Sequence, residues 1–509
     1  MGWVTSAGLA VLLGSTVATA GPADDVRAWR KAHETEIVRE LADLVALPNL
    51  ARDDSRIRAN ADRLVAMLNR RGMAARLLEI SGAPPAVYGE RKVPGARRTV
   101  VFYAHYDGQP VDPAKWHGEP WKPILRDRAL EDGGGEIAMD RVPYPPEARL
   151  YGRSASDDKG PIVGILAALD ALDALGRRPG VNVALFLEGE EEAGSPHLEA
   201  FLQKYRDQIA GNAWLLCDGP VHQSRKMQVY FGARGITDLE VTLYGPSRPL
   251  HSGHYGNWAP NPALELAHLV AGLRDADGRI QVAGFYDDVR PATDTEKQAL
   301  REVPDVDEAL RGELALARTE AGGARLVERI LLPALNVRGL ASGGVGGLAA
   351  NAIPTEARAS IDFRLVPDQT PAAVREKVEA HLRKLGYDIV HGEVTREARR
   401  QRPRLLRLDW GPGYPPARTS MDLPFSRALT RAVAEASGAP LIRLPTLGGS
   451  IGMELFARIL DRPVVGLPIV NHDNNQHGAN ENLRLQNLWD GIEVYATVMT
   501  RLGDLWDEK

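Results

Sequence analysis

Leu185-Phe186-Leu187-Glu188-Gly189-Glu190-Glu191-Glu192-Ala193-Gly194-Ser195 is the stretch on which the reading of the chain turns. The run that leads into it, Val181 to Leu187, crowds β-branched and large apolar side chains into consecutive positions, the pattern of a buried strand. It empties at once into four carboxylates within five residues, then a Gly-Ser turn. Like charges packed this closely at the end of a buried strand repel one another. Either the run is a solvated acidic loop, as charge runs usually are, or a cation compensates it. Other segments of the chain must decide.

Upstream, Thr99 to Ala104 forms a second apolar strand that ends at His105-Tyr106-Asp107-Gly108. A Pro- and Gly-rich loop from Pro110 to Pro146 leads to Gly152-Arg153-Ser154-Ala155-Ser156-Asp157-Asp158-Lys159-Gly160. Pro161 then opens a helix through Ile165, Leu169, Leu172 and Leu175, at the position where Pro is best tolerated. Downstream, a helix is expected from Pro196 to Gln208, and a strand from Ala213 to Cys217 that ends in Asp218. Two amphipathic helices precede all of this, one through Ile37, Leu41 and Leu44 and one through Ile57, Leu64 and Leu68. Strands alternating with helices, with charged residues at the strand C-termini, predict an α/β fold. Its core is an open, mostly parallel sheet flanked by helices, and such sheets bind ligands at that edge.

The pattern changes near Gly235. Thr237, Leu239, Val241 and Leu243 alternate as a half-exposed strand, and Pro262 to Leu273 reads as a helix. Strands at Leu335 to Leu340 and Ala357 to Val366, a helix from Pro371 to Leu385 and a strand near Asp388 complete a smaller α+β unit. Arg396 to Pro416, rich in Arg and Pro, reads as the linker back to the sheet. The expected division is therefore 24–235 and 417–509 for the catalytic domain, with 236–400 inserted as a lid and dimerisation domain.

With 509 residues the chain has material for two domains, and 44% hydrophobic with 25% charged residues is an ordinary globular composition. A net charge of −5 argues against a nucleic-acid surface. The single cysteine, Cys217, excludes an intrachain disulfide. Val4 to Ala20 is apolar and small, and Ala18-Thr19-Ala20 resembles a signal cleavage site, although no Lys or Arg precedes it. Residues 1–20 are expected to be a signal peptide, which implies a secreted or periplasmic protein without a stable membrane span. An uncleaved anchor, or a cytoplasmic protein with a misassigned start, are the alternatives.

His105, Asp107, Asp157, Glu191, Glu192, Asp218 and His477 all fall at strand ends or in polar loops on one sheet edge. Three carboxylates and two imidazoles among them make a ligand set that suits Zn²⁺ and, less well, Mn²⁺ or Co²⁺. Five ligands exceed what one tetrahedral zinc with an open position uses, and fit two metals that share a carboxylate and a water. Cys217 sits inside a strand, where packing is its expected role.

These motifs, His105-Tyr106-Asp107, Gly152 to Gly160, Glu190-Glu191-Glu192-Ala193-Gly194-Ser195 and His477, resemble the M20 family of metallopeptidases. Arg234-Gly235-Ile236, Leu250 to Gly256, Phe363-Arg364-Leu365-Val366-Pro367 and Gly448-Gly449-Ser450-Ile451 bring the resemblance to the carnosinase-like dipeptidase branch. The resemblance implies that His105, Asp157 and Asp218 hold one zinc, and that Asp157, Glu192 and His477 hold the other. Glu191 would be the general base and Asp107 the residue that orients His105. His251 would reach from a partner subunit to the oxyanion of the attacked carbonyl, and Arg364, Asn351 and Ser450 would bind the substrate carboxylate. His477 is followed by Gly478, a departure from the family's usual surroundings, and His472 lies five residues before it in the same loop. The implied activity is a dinuclear zinc exopeptidase for dipeptides or short peptides, working as a homodimer. An N-acyl amino-acid deacylase or a carboxypeptidase is the alternative within the family, and Asp218 in place of Glu leans away from both. A non-catalytic binding protein would have lost a ligand or the base, and neither is lost.

Overall fold

The apolar runs around His105, Glu188 and Asp218 become neighbouring strands of one sheet. The computed structural model describes residues 22–507, and the expected signal segment 1–20 lies outside them. The larger sheet has eight strands in the order Ala74–Leu78, Ala86–Arg91, Asn182–Glu188, Thr99–His105, Ala213–Leu216, Val464–Gly466, Gln228–Tyr230 and Ile442–Leu444. Its centre is parallel: Thr99–His105 pairs with Asn182–Glu188 on one side and Ala213–Leu216 on the other, and Val464–Gly466 follows. The C-termini of these strands therefore open on the same edge.

Strand alternation divides the apolar residues between two cores. Val100, Phe102, Val183, Leu185 and Leu215 face one core, with the helices Lys159–Ala174 and Leu485–Asp507. Val101, Tyr103, Ala184, Phe186 and Trp214 face the other, with Leu198–Lys204 and Met453–Leu460. Because both faces are covered, the central strands read as unbroken apolar runs. Each fully buried Leu or Phe among them contributes about 1.5–3 kcal/mol.

Gly466 permits one close approach in this sheet. A Cβ there would lie 1.9 Å from the Tyr230 ring, whose hydroxyl donates to the Asp218 carbonyl at 2.9 Å. Gly466→Ala must push that ring aside, and is expected to cost about 1–3 kcal/mol. A urea unfolding midpoint unchanged from the parent would contradict the packing described.

A second sheet of five strands runs in the order Ala334–Ala341, Glu356–Leu365, Gly235–Tyr244, Leu405–Trp410 and Asp388–Val390. Leu239, Val241, Leu243, Ile361 and Phe363 meet the helices Pro262–Leu273 and Pro371–Lys384 in a third core. The strand Leu405–Trp410 falls in the stretch expected to be a linker, and pairs antiparallel with Gly235–Tyr244. Its buried Leu406 and Leu408 alternate correctly, but flanking Arg and Pro residues mask the signal. The helix expected from Pro196 to Gln208 is two short ones, Leu198–Lys204 and Arg206–Ile209.

A three-stranded sheet joins Asn482–Arg484, Arg149–Tyr151 and Ile124–Arg126. It ties the loop that carries Asp157 to the loop that carries His477. Among the described residues no helix is long and apolar enough to cross a membrane.

Candidate metal centre and active-site cleft

His105 is the last residue of its strand, and it is fully buried. Its Nε2 lies 2.8 Å from Asp157 Oδ1, and its Nδ1 lies 3.3 Å from Asp107 Oδ1, a looser contact. Asp107, also fully buried, accepts from the backbone N–H of Glu191 at 3.1 Å and of Glu192 at 3.0 Å. One carboxylate thus faces the His105 ring and fastens the turn Glu191–Ala193 that follows the neighbouring strand. The acidic run does not spread into solvent; it is folded back over the strand ends.

Two groups of side chains result. His105, Asp157 and Asp218 offer ligand atoms within 4.8 Å of one another, and so do Asp157, Glu192 and His477. Asp157 belongs to both. His477 Nε2 stands 3.2 Å from Asp157 Oδ2 and 3.2 Å from Glu192 Oε2. His477 takes a left-handed φ of 62°, an uncommon backbone state for a residue other than glycine. His472 belongs to neither group, and Cys217 is buried as packing requires.

The electrostatics are those of a site with surplus negative charge. Burial, with the charge of Asp157, pushes the Asp218 carboxyl up to about 7. Burial raises Glu191 well above the carboxylate range, with Asp218 and Asp157 adding to it and His105 opposing. Burial would raise Asp157 too, but hydrogen bonds from His105 and His477 overcome it and hold that carboxyl low. His477 is pushed up to about 10 by its hydrogen bonds to Asp157 and Glu192. Divalent ions held by the two groups would relieve the same repulsion. Imidazole and carboxylate donors without thiolate fit zinc, manganese or cobalt.

Glu191, Glu192 and His477 open onto a cleft of about 670 Å³ that Tyr414, Ser450 and Arg458 also line. Arg364, on the strand Glu356–Leu365, donates through Nη1 to Ser450 Oγ at 2.8 Å and through Nε to Asp362 Oδ2 at 2.9 Å. Arg364 and Ser450 therefore come together, with Ser450 in the cleft lining. His251 and Asn351 also come together, but elsewhere. The short strands Leu250–His251 and Ala352–Ile353 pair, and Ser252 N donates to Asn351 O at 2.9 Å. Both residues are exposed, and neither lines the cleft of its own chain.

Some residues of the site had no assigned role in the sequence. Gln109 Nε2 donates to Glu192 Oε2 at 2.8 Å, and Gln476 Nε2 to Asp157 Oδ2 at 3.3 Å. A loop glutamine carries no pattern that marks it. Tyr414 comes from the supposed linker. Glu481 lies four residues beyond His477, where nothing in the sequence marks it.

Residues 101–501 match peptidase family M20/M25/M40. The chain is 29% identical over 428 residues to the Cys-Gly metallodipeptidase of Candida albicans, covering 81% of this chain and 80% of that protein. It is 26% identical over 438 residues to the beta-Ala-His dipeptidase of Homo sapiens, covering 83% and 78%. Among solved structures, an M20 family metallo-carboxypeptidase from Sulfolobus solfataricus superposes with a TM-score of 0.75 at 27% identity, covering 92% of this chain and 99% of that one. The match to Cys-Gly metallodipeptidases overturns the secreted or periplasmic location expected above, whose support, Val4 to Ala20, lies outside the described residues. With the family's motifs at the strand ends of a matching fold, the chain belongs to peptidase family M20/M25/M40 and is a metallopeptidase-type hydrolase.

Proposed function

We propose that this protein is a dinuclear zinc exopeptidase that hydrolyses dipeptides or short peptides with a free C-terminal carboxylate. The observation that carries the reading is the pair of three-residue groups joined through Asp157, with Glu191 beside them in the cleft. The similarity to proteins named as dipeptidases supports dipeptides as the substrates. In this reading His105, Asp157 and Asp218 hold one ion, and Asp157, Glu192 and His477 the other. Bound divalent ions supply a water of lowered pKa and polarise the scissile carbonyl.

The chain's own residues do the rest. Asp107 faces His105 Nδ1 and so directs the Nε2 lone pair toward the ion. Glu191 takes the proton of the attacking water and delivers it to the leaving amine. Arg364 and Ser450 receive the substrate carboxylate, the guanidinium offering a two-pronged match that lysine lacks. Arg364→Lys is expected to raise KM about tenfold or more for dipeptides with little change in kcat. Equal loss for a C-terminally amidated substrate would contradict this role.

His251 and Asn351, exposed and outside the lining of their own cleft, complete the site of a second subunit. The unit that carries them, 236–400, is the proposed lid and dimerisation domain of a catalytic domain made of 24–235 and 417–509. The edge strand Ala334–Ala341 supports the dimer, because Val337 and Leu340 on it and Leu264 on the adjoining helix are exposed. Rates for a panel of dipeptides, acylated amino acids and longer peptides, with and without Zn²⁺, test the activity. Turnover of acylated amino acids alone would assign a deacylase. Release of single residues from long peptides would assign a carboxypeptidase.

A further inference from the structure

We propose that Glu481 is a positioning residue that sets the geometry of both metal sites. The inference rests on the dinuclear reading, and adds a residue that touches neither ion. Glu481 is fully buried, and its two oxygens accept from five donors. Oε1 takes Ser156 N at 3.0 Å, Ser156 Oγ at 2.8 Å and Asp157 N at 2.9 Å; Oε2 takes Ser154 N at 2.8 Å and Arg153 Nη1 at 2.8 Å. One carboxylate therefore shapes the turn from Arg153 to Asp157, including the left-handed Ser154 with φ 65°.

Arg153 carries the constraint across to the other ligand loop. It is 1% exposed, and its Nη2 donates to Gly478 O at 2.8 Å, one residue beyond the left-handed His477. Its guanidinium lies over the Trp116 ring, 5.2 Å from the centroid. Glu481 and Arg153 thus hold Asp157 and His477 in one frame. A carboxylate that accepts from several backbone N–H groups is an anionic anchor that glutamine cannot replace. The glutamine –NH₂ would confront donors, and Arg153 would stay buried without a counter-charge.

The test is Zn²⁺ affinity, measured by competition with a chromophoric chelator, alongside thermal unfolding of the metal-free protein. Glu481→Gln is expected to weaken zinc binding tenfold or more in at least one of the two sites. In Glu481→Gln combined with Arg153→Met, which removes the unpaired charge, the unfolding midpoint is expected to recover while the affinity stays low. Affinity within twofold of the parent in either folded variant overturns the proposal, as does recovery of affinity together with the midpoint. If neither variant folds, Ser156→Ala decides, since it removes one donor and leaves no buried charge. It is expected to bind zinc several-fold more weakly, and parental affinity contradicts the proposal. A parent that binds fewer than two zinc ions contradicts the dinuclear reading instead, and the two failures are told apart.

Discussion

Glu191→Gln is expected to lower turnover by about 10²–10⁴ while the protein keeps its metals, because it removes a proton acceptor and not a ligand. Glu191 belongs to neither group of ligand atoms, whereas its neighbour Glu192 stands with Asp157 and His477. Glu192→Gln should therefore lose metal from one site, and activity with it. The backbone N–H groups of both residues are held by Asp107, so neither change frees the turn. Metal analysis beside steady-state kinetics separates the two. Reversed phenotypes would show that base and ligand had been exchanged.

His251→Ala is the second large effect, with an expected loss of about 10²–10³ in turnover, the usual consequence of removing one oxyanion donor. The residue is exposed, its Nδ1 accepts from Gly253 N at 3.1 Å, and the ring lies 4.6 Å from that of His254. That leaves Nε2 free to donate toward another molecule. His251 does not line its own cleft, so in the proposed dimer it would act on the neighbouring subunit. Glu191→Ala and His251→Ala chains co-expressed as heterodimers should regain activity in the one site that has an intact Glu191 and a delivered His251. Heterodimers, verified by native mass spectrometry, that stay as inactive as either parent would contradict action across the interface.

Much of this was legible in the chain because buried parallel strands leave strong traces. Val181 to Leu187 and Thr99 to Ala104 could be read as strands from apolar runs alone, and their ends placed His105 and the acidic run on one edge. The outer strands left weaker traces. Ala74–Leu78 is partly exposed, and Gln228–Tyr230 and Ile442–Leu444 are only three residues long. Leu405–Trp410 was hidden by the Arg and Pro around it. In the candidate site, His and acidic residues at strand ends that could supply ligand atoms could be named. Gln109, Gln476 and Tyr414 could not, since their roles come from tertiary contacts between distant loops. Glu481 is hidden in the same way: it lies close to His477 in sequence, but its five donors lie more than three hundred residues away.

The central claim is that five side chains hold two ions through a shared Asp157. Anomalous diffraction at the zinc edge from crystals of zinc-loaded protein tests it most directly. The account predicts two peaks per chain, one among His105, Asp157 and Asp218 and one among Asp157, Glu192 and His477. A single peak, or a second peak away from His477, would contradict it.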